Sequence, residues 1–170
     1  MLIFLIGYMG SGKSKMGEAA SKILKFDFVD TDKLITQVGG KSISEIFEQN
    51  GQEHFRELEK DILHTLVSRE KLMVATGGGT PMYQDNMDWM MAHGITVYLE
   101  ANAGLLFHRL ASSRGGRPLI EKLNDVELME QITGHLAVRI PVYRRAAITV
   151  SAANPDPRGL AEKIIRYRSA

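Results

Sequence analysis

A glycine-rich octapeptide between an apolar run and an amphipathic run restricts this chain more than any other feature. Leu2 to Ile6 is continuously apolar, the pattern of a strand covered on both faces. Gly7-Tyr8-Met9-Gly10-Ser11-Gly12-Lys13-Ser14 follows and fits G-x-x-x-x-G-K-[ST]. Lys13 to Lys25 then reads as a helix, with Met16, Ala19, Ala20, Ile23 and Leu24 at i, i+3, i+4, i+7 and i+8. Glycines let the backbone of Gly10, Ser11 and Gly12 wrap an anion with its N–H groups pointing inward. The helix N-terminus adds partial positive charge. Lys13 is spaced to reach the terminal phosphates of a nucleotide, and the Ser14 hydroxyl to ligate Mg²⁺. A nucleotide phosphate site is expected, on a GTPase switch, an ATPase motor or a small-molecule kinase. No Asn-Lys pair occurs, so an Asn-Lys-x-Asp guanine reader is absent, and 170 residues is short for a motor.

Short apolar runs alternate with amphipathic stretches along the rest of the chain. Phe26–Val29, Leu72–Ala75, Ile95–Leu99 and Ala147–Val150 read as further strands. Helices are expected over 42–49, 53–70, 102–111 and 159–166, from the Thr80-Pro81 pair onward, and over 125–143 with an interruption near Pro141. This pattern predicts one α/β domain over residues 1–170, a five-stranded parallel sheet with helices on both faces. Net charge is +1, which argues against a generic nucleic-acid or anionic-membrane surface. There is no cysteine, so disulfides and thiol catalysis are excluded. No run reaches the length of a membrane span, and the N-terminus lacks a basic lead, so a cytoplasmic protein is expected. No extra apolar face asks for a partner, so a monomer is expected.

Asp30 and Asp32 follow the second strand, at the sheet end where ligands bind in open α/β sheets. Their spacing of two suggests that both point the same way, one toward a metal shell and one toward an acceptor hydroxyl. A solvated turn with a helix-capping Asp is the alternative. Gly77-Gly78-Gly79 follows the third strand and suits close approach of an anionic or hydroxyl-rich substrate. Arg56 has Glu53 and Glu59 three residues away, and alone reads as an exposed helical ion pair. Arg139 shares the spacing of Met129, Ile132, Leu136 and Tyr143, so it sits on an apolar stripe. An inward arginine there needs an anion, either a bound carboxylate or a structural acid. Arg114 and Arg117 stand among glycines in a segment, about 112–123, that reads as a mobile lid. Arg109, just before it, could face the nucleotide from below. Met82, Met87, Met90, Met91 and Trp89 read as packing, and the five histidines show no metal-ligand spacing.

Taken together, these motifs resemble shikimate kinase, of the nucleoside-monophosphate-kinase-like P-loop group, over about residues 2 to 167. The order is the phosphate loop, Asp30-Thr31-Asp32, Ser42-Ile43-x-Glu45-Ile46-Phe47, Phe55-Arg56-x-x-Glu59, the three glycines, Arg117-Pro118-Leu119 and Arg139 to Tyr143. The resemblance implies ATP-dependent phosphorylation of the shikimate 3-hydroxyl, a step toward chorismate and the aromatic amino acids. It implies Mg²⁺ with ATP, Asp32 as base, Arg56 and Arg139 on the shikimate carboxylate, and Gly78 on the substrate through its backbone. Asp30 would lie in the outer metal shell, and Arg117 would reach ATP from the lid. Lys15 stands where many members carry Thr among the nucleotide-binding residues. The segment 152–158 would flank adenine, and about 33–59 would form a small substrate-binding lobe. A gluconate kinase and a non-catalytic nucleotide-binding module are the alternatives.

Overall fold

A parallel sheet has to hide both faces, and the first strand shows how this chain does it. The structure, a computed structural model, describes residues 1–113 and 118–169. β1 (Leu2–Ile6) is buried at every position. Ile3 and Leu5 point into one apolar layer, and Leu2, Phe4 and Ile6 into the other. β2 (Asp27–Asp30), β3 (Leu72–Ala75), β4 (Gly94–Glu100) and β5 (Ile148–Ser151) complete a sheet of order β2-β3-β1-β4-β5. All four pairings are parallel, for example Leu5 with Ala75 and with Val97.

Among the described residues, seven α-helices lie between and after the strands: α1 (Lys13–Leu24), α2 (Thr31–Gly39), α3 (Ile43–Thr65), α4 (Asn86–His93), α5 (Ala103–Ala111), α6 (Asp125–Tyr143) and α7 (Pro157–Ser169). Leu106 and Leu110 of α5, Leu128 and Ile132 of α6, and Leu160 and Ile164 of α7 join Ile3 and Leu5 in one layer. Leu63 of α3, Met87 and Met90 of α4, and Tyr143 join Phe4 in the other. A third small cluster, Ile35, Ile46 and Phe55, lies between α2 and α3.

The elements expected from the sequence are present, with several corrections. α2 was not foreseen; Asp30 caps it, but Thr31, Ile35, Thr36 and Val38 are β-branched and weaken a helical reading. The expected helices over 42–49 and 53–70 form one element bent at Gly51, whose φ of 82° a glycine tolerates, and α3 stops at Thr65. Ser42 and Glu45 cap it reciprocally, as their spacing predicts. Thr80-Pro81 opens only a single 3₁₀ turn (Thr80–Met82), and α4 begins at Asn86, after Gln84 takes a φ of 47°. α6 runs through Pro141 to Tyr143, because a proline in the last turn removes only one terminal hydrogen bond. Met91 is exposed rather than packed, while Met87 and Met90 are buried.

Candidate active site

The phosphate loop leaves β1 at Gly7 and enters α1 at Gly12, whose φ of 99° places the backbone in the left-handed region. No side chain caps α1, so its first N–H groups stay available to an anion. Lys13 is buried, and its Nζ donates to Gly7 O at 2.8 Å and Tyr8 O at 2.9 Å. Burial lowers its pKa to about 8, against the opposing pull of Asp32 and Asp30. Arg109 braces the loop from outside, donating to Gly10 O at 3.2 Å, Ser11 O at 2.9 Å and Ala152 O at 2.9 Å. Lys15 is exposed on the first turn of α1.

Asp30 ends β2 and caps α2. Its Oδ1 accepts from the backbone N–H of Asp32 at 3.1 Å and of Lys33 at 3.3 Å. Its Oδ2 accepts from the Ser14 hydroxyl. The capping that the sequence offered as the alternative is therefore present, and the same carboxylate also touches Ser14 of the phosphate loop. Asp32 lies in the first turn of α2, so the period-two strand argument does not apply to it. The tight turn is what brings both acids to the same end of the sheet. Burial raises the Asp32 carboxyl to about 6, with Glu59 and Asp30 adding to the rise and Lys13 and Arg56 opposing it.

The three glycines are required by crowding. None has a positive φ. A Cβ on Gly77 would lie 1.9 Å from Glu59 Oε1, one on Gly78 3.0 Å from the Met9 amide, and one on Gly79 2.5 Å from the Arg56 guanidinium. Thr31 ties this turn to the acidic one, donating to Ala75 O at 3.3 Å and accepting from Gly77 N–H at 3.2 Å. Arg56 and Glu59 do form the i, i+3 pair that the sequence suggested, but not at the surface. Their side chains are 11% and 1% exposed. Glu59 also accepts from the Thr80 hydroxyl. Arg139 reaches the same place from α6, donating to Gly78 O at 3.3 Å.

These groups surround one cavity of about 220 Å³. Asp32, Arg56, Glu59, Gly77, Gly78, Gly79 and Arg139 supply its polar wall, and Met9, Ile43, Phe47, Phe55, Pro118 and Leu119 its apolar wall. Arg56 and Arg139 on one wall suit a carboxylate-bearing acceptor, with Asp32 and Glu59 on the same wall. Sequence reasoning overlooked Glu59 as a wall and Thr31 as a tie; the only signals were the Arg56 spacing and the position between two aspartates. Arg114 and Arg117 lie outside the described residues.

A family model described as shikimate kinase matches residues 9–168. The chain belongs to the shikimate kinase family. Shikimate kinases of Phocaeicola vulgatus and Bacteroides fragilis are 41% and 37% identical to it. The alignments cover 85% and 96% of this chain and 82% and 92% of those proteins. The crystal structure of shikimate kinase from Bacteroides thetaiotaomicron superposes with a TM-score of 0.86 at 36% identity, covering 99% of this chain and 96% of that one. The shikimate kinase of Acinetobacter baumannii in complex with shikimate gives 0.86 at 33%, covering 99% and 92%. A gluconokinase from Sinorhizobium meliloti shares the fold, at a TM-score of 0.54 and 18% identity. The fold is nucleoside-monophosphate-kinase-like, and the enzyme is an ATP-dependent shikimate kinase of aromatic amino-acid biosynthesis. As a kinase of this family it uses a divalent metal. Among the described residues, no helix is long and apolar enough to cross a membrane.

Proposed function

We propose that shikimate binds in the cavity between α3, the glycine turn and α6, with its carboxylate between Arg56 and Arg139. The observation that carries this reading is the convergence of two arginines, Asp32 and Gly78 on one small cavity beside the phosphate loop. ATP lies along Gly10 to Ser14, with Lys13 leaving the Gly7 and Tyr8 carbonyls for its phosphates, and Lys15 and Arg109 flank it. Gly77, Gly78 and Gly79 approach the acceptor through their backbone. Asp32 takes the proton of the 3-hydroxyl, whose oxygen forms a bond to the γ-phosphorus. The bond from that phosphorus to the bridging oxygen breaks, and ADP leaves. With Asp32 raised only to about 6, its carboxylate is ionised at neutral pH and ready to accept.

Ser14 and Asp30 would hold the metal. A hydroxyl and a carboxylate are hard oxygen donors, and no group of three His, Cys, Asp or Glu side chains gathers among the described residues. That sparse set fits Mg²⁺, which keeps waters and substrate phosphates in its shell. When bound, it neutralises phosphate charge. The segments 33–59 and 112–123 act as substrate lobe and lid around a core within 1–170, and Arg117 comes onto the phosphates from the lid. The enzyme works as a cytoplasmic monomer on ATP and shikimate, with neither nucleic acid nor membrane as partner.

Steady-state ADP release with ATP and Mg²⁺ tests the acceptor. Shikimate alone should stimulate it, with gluconate and buffer inert. Asp32→Ala should lower kcat by about 10²–10⁴-fold while nucleotide binding is kept. Stimulation by gluconate would overturn the assigned pocket, and turnover that survives Asp32→Ala would overturn the assigned base.

A further inference from the structure

Four side chains of α6 stand four residues apart, along one ridge of the helix: Gln131, His135, Arg139 and Tyr143. Gln131 Nε2 donates to Leu119 O at 3.2 Å. His135 Nδ1 and Tyr8 Oη share a hydrogen bond of 3.0 Å. Arg139 and Tyr143 both donate to Gly78 O. The row thus fastens the cavity wall, the phosphate loop and the glycine turn to one helix. The mechanism above uses only Arg139.

Tyr8 is the second residue of the phosphate loop, and its side chain meets His135 and Arg139 of α6. It is buried, with the Arg139 guanidinium 5.2 Å from its ring centroid. We propose that Tyr8 is a positioning residue for Arg139: its ring face supports the guanidinium, and the hydroxyl bond to His135 fixes that ring. This rests on the reading of Arg139 as the carboxylate clamp. A cation within about 6 Å of an aromatic face is attracted to it. Arginine also loses much rotamer freedom when it binds, so ordering it beforehand strengthens the complex. The hydrogen bond to Gly78 O is long at 3.3 Å, and a ring beneath the guanidinium adds hold without occupying its N–H groups. Burial keeps the phenol protonated, and burial with Arg139 and then Arg56 keeps the imidazole neutral. The bond therefore persists at neutral pH and sets no second cation beside Arg139.

The test measures KM for shikimate and for ATP separately, alongside kcat. Tyr8→Leu should raise the shikimate KM about three- to tenfold, well beyond any change in the ATP KM. In an Arg139→Ala background the same substitution should add nothing to the shikimate KM. His135→Leu changes no residue of the phosphate loop itself, which covers the case of a misfolded Tyr8 variant. It should raise the shikimate KM about two- to fivefold, with rescue by His135→Gln. An undiminished Tyr8→Leu effect in the Arg139→Ala background overturns the proposal, as does an equal rise in both KM values. If Arg139→Ala itself leaves the shikimate KM unchanged, the carboxylate reading falls as well.

Discussion

Asp32 is held where its charge is unwelcome, and the base role proposed for it draws on that. Burial and two neighbouring acids, Glu59 and Asp30, push its pKa up to about 6, while burial brings Lys13 down to about 8. The kcat/KM of the enzyme should therefore rise through pH 6, as Asp32 ionises, and fall above pH 8, as Lys13 loses its proton. A single flat profile between pH 5 and 9 would remove both assignments. The same shift works against stability. Folded Asp32 binds its proton more tightly than unfolded Asp does, so its contribution improves as pH falls from 7 through 6 toward 4. At pH 7 the ionised group destabilises the fold. Asp32→Asn should abolish turnover yet add about 1–2 kcal/mol of stability. That is less than the roughly 3 kcal/mol a two-unit shift converts to, because Lys13 and Arg56 lose a partner. Melts at pH 7 and pH 5 check this, and the gain should shrink at the lower pH.

Among the elements, the glycine turn shows most plainly how neighbours dictate sequence. Gly77 carries no unusual backbone angle; Glu59 simply leaves no room for a side chain. Gly77→Ala must displace a buried carboxylate that also holds Arg56 and Thr80. It should lower stability by about 1–3 kcal/mol and raise the shikimate KM at least tenfold, with the ATP KM little changed. An Ala variant with normal kinetics would mean that Glu59 moves freely. The sequence made the phosphate loop legible, because strand, glycines and helix N-terminus are contiguous and each carries its own local signal. It also placed Arg139 on the inward stripe, since Ile132, Leu136 and Tyr143 are buried around it. It could not show that Arg56 and Glu59 are buried, because their surroundings come from residues 77–80, far along the chain. Nor could it show the row from Gln131 to Tyr143. The partner of His135 lies 127 positions away. α2 stayed hidden because its cap, Asp30, also reads as a ligand.

For the whole molecule, the strand order decides where motion can occur. β2, β3 and β1 are adjacent and parallel, so the acidic turn, the glycine turn and the phosphate loop all leave the sheet at its carboxyl-terminal edge. Around that fixed edge, α2 and the first arm of α3 pack on a small apolar cluster of their own, whereas Ile120 seats 118–123 in the main core. Elements with few ties to the main core open locally at low free energy, whereas central strands exchange only through rare global opening. Hydrogen–deuterium exchange over seconds to minutes should therefore label 33–58 in the free enzyme and leave β1, β3 and β4 unlabelled. Shikimate alone should protect 43–58. Shikimate with Mg²⁺ and a non-hydrolysable ATP analogue should protect 33–58 more strongly than either ligand alone, if the proposed lobe closes over both substrates and excludes the competing water. Unchanged early labelling of 33–58 in the ternary complex would show that substrates enter a cavity already formed, and the proposed lobe motion would have to be abandoned.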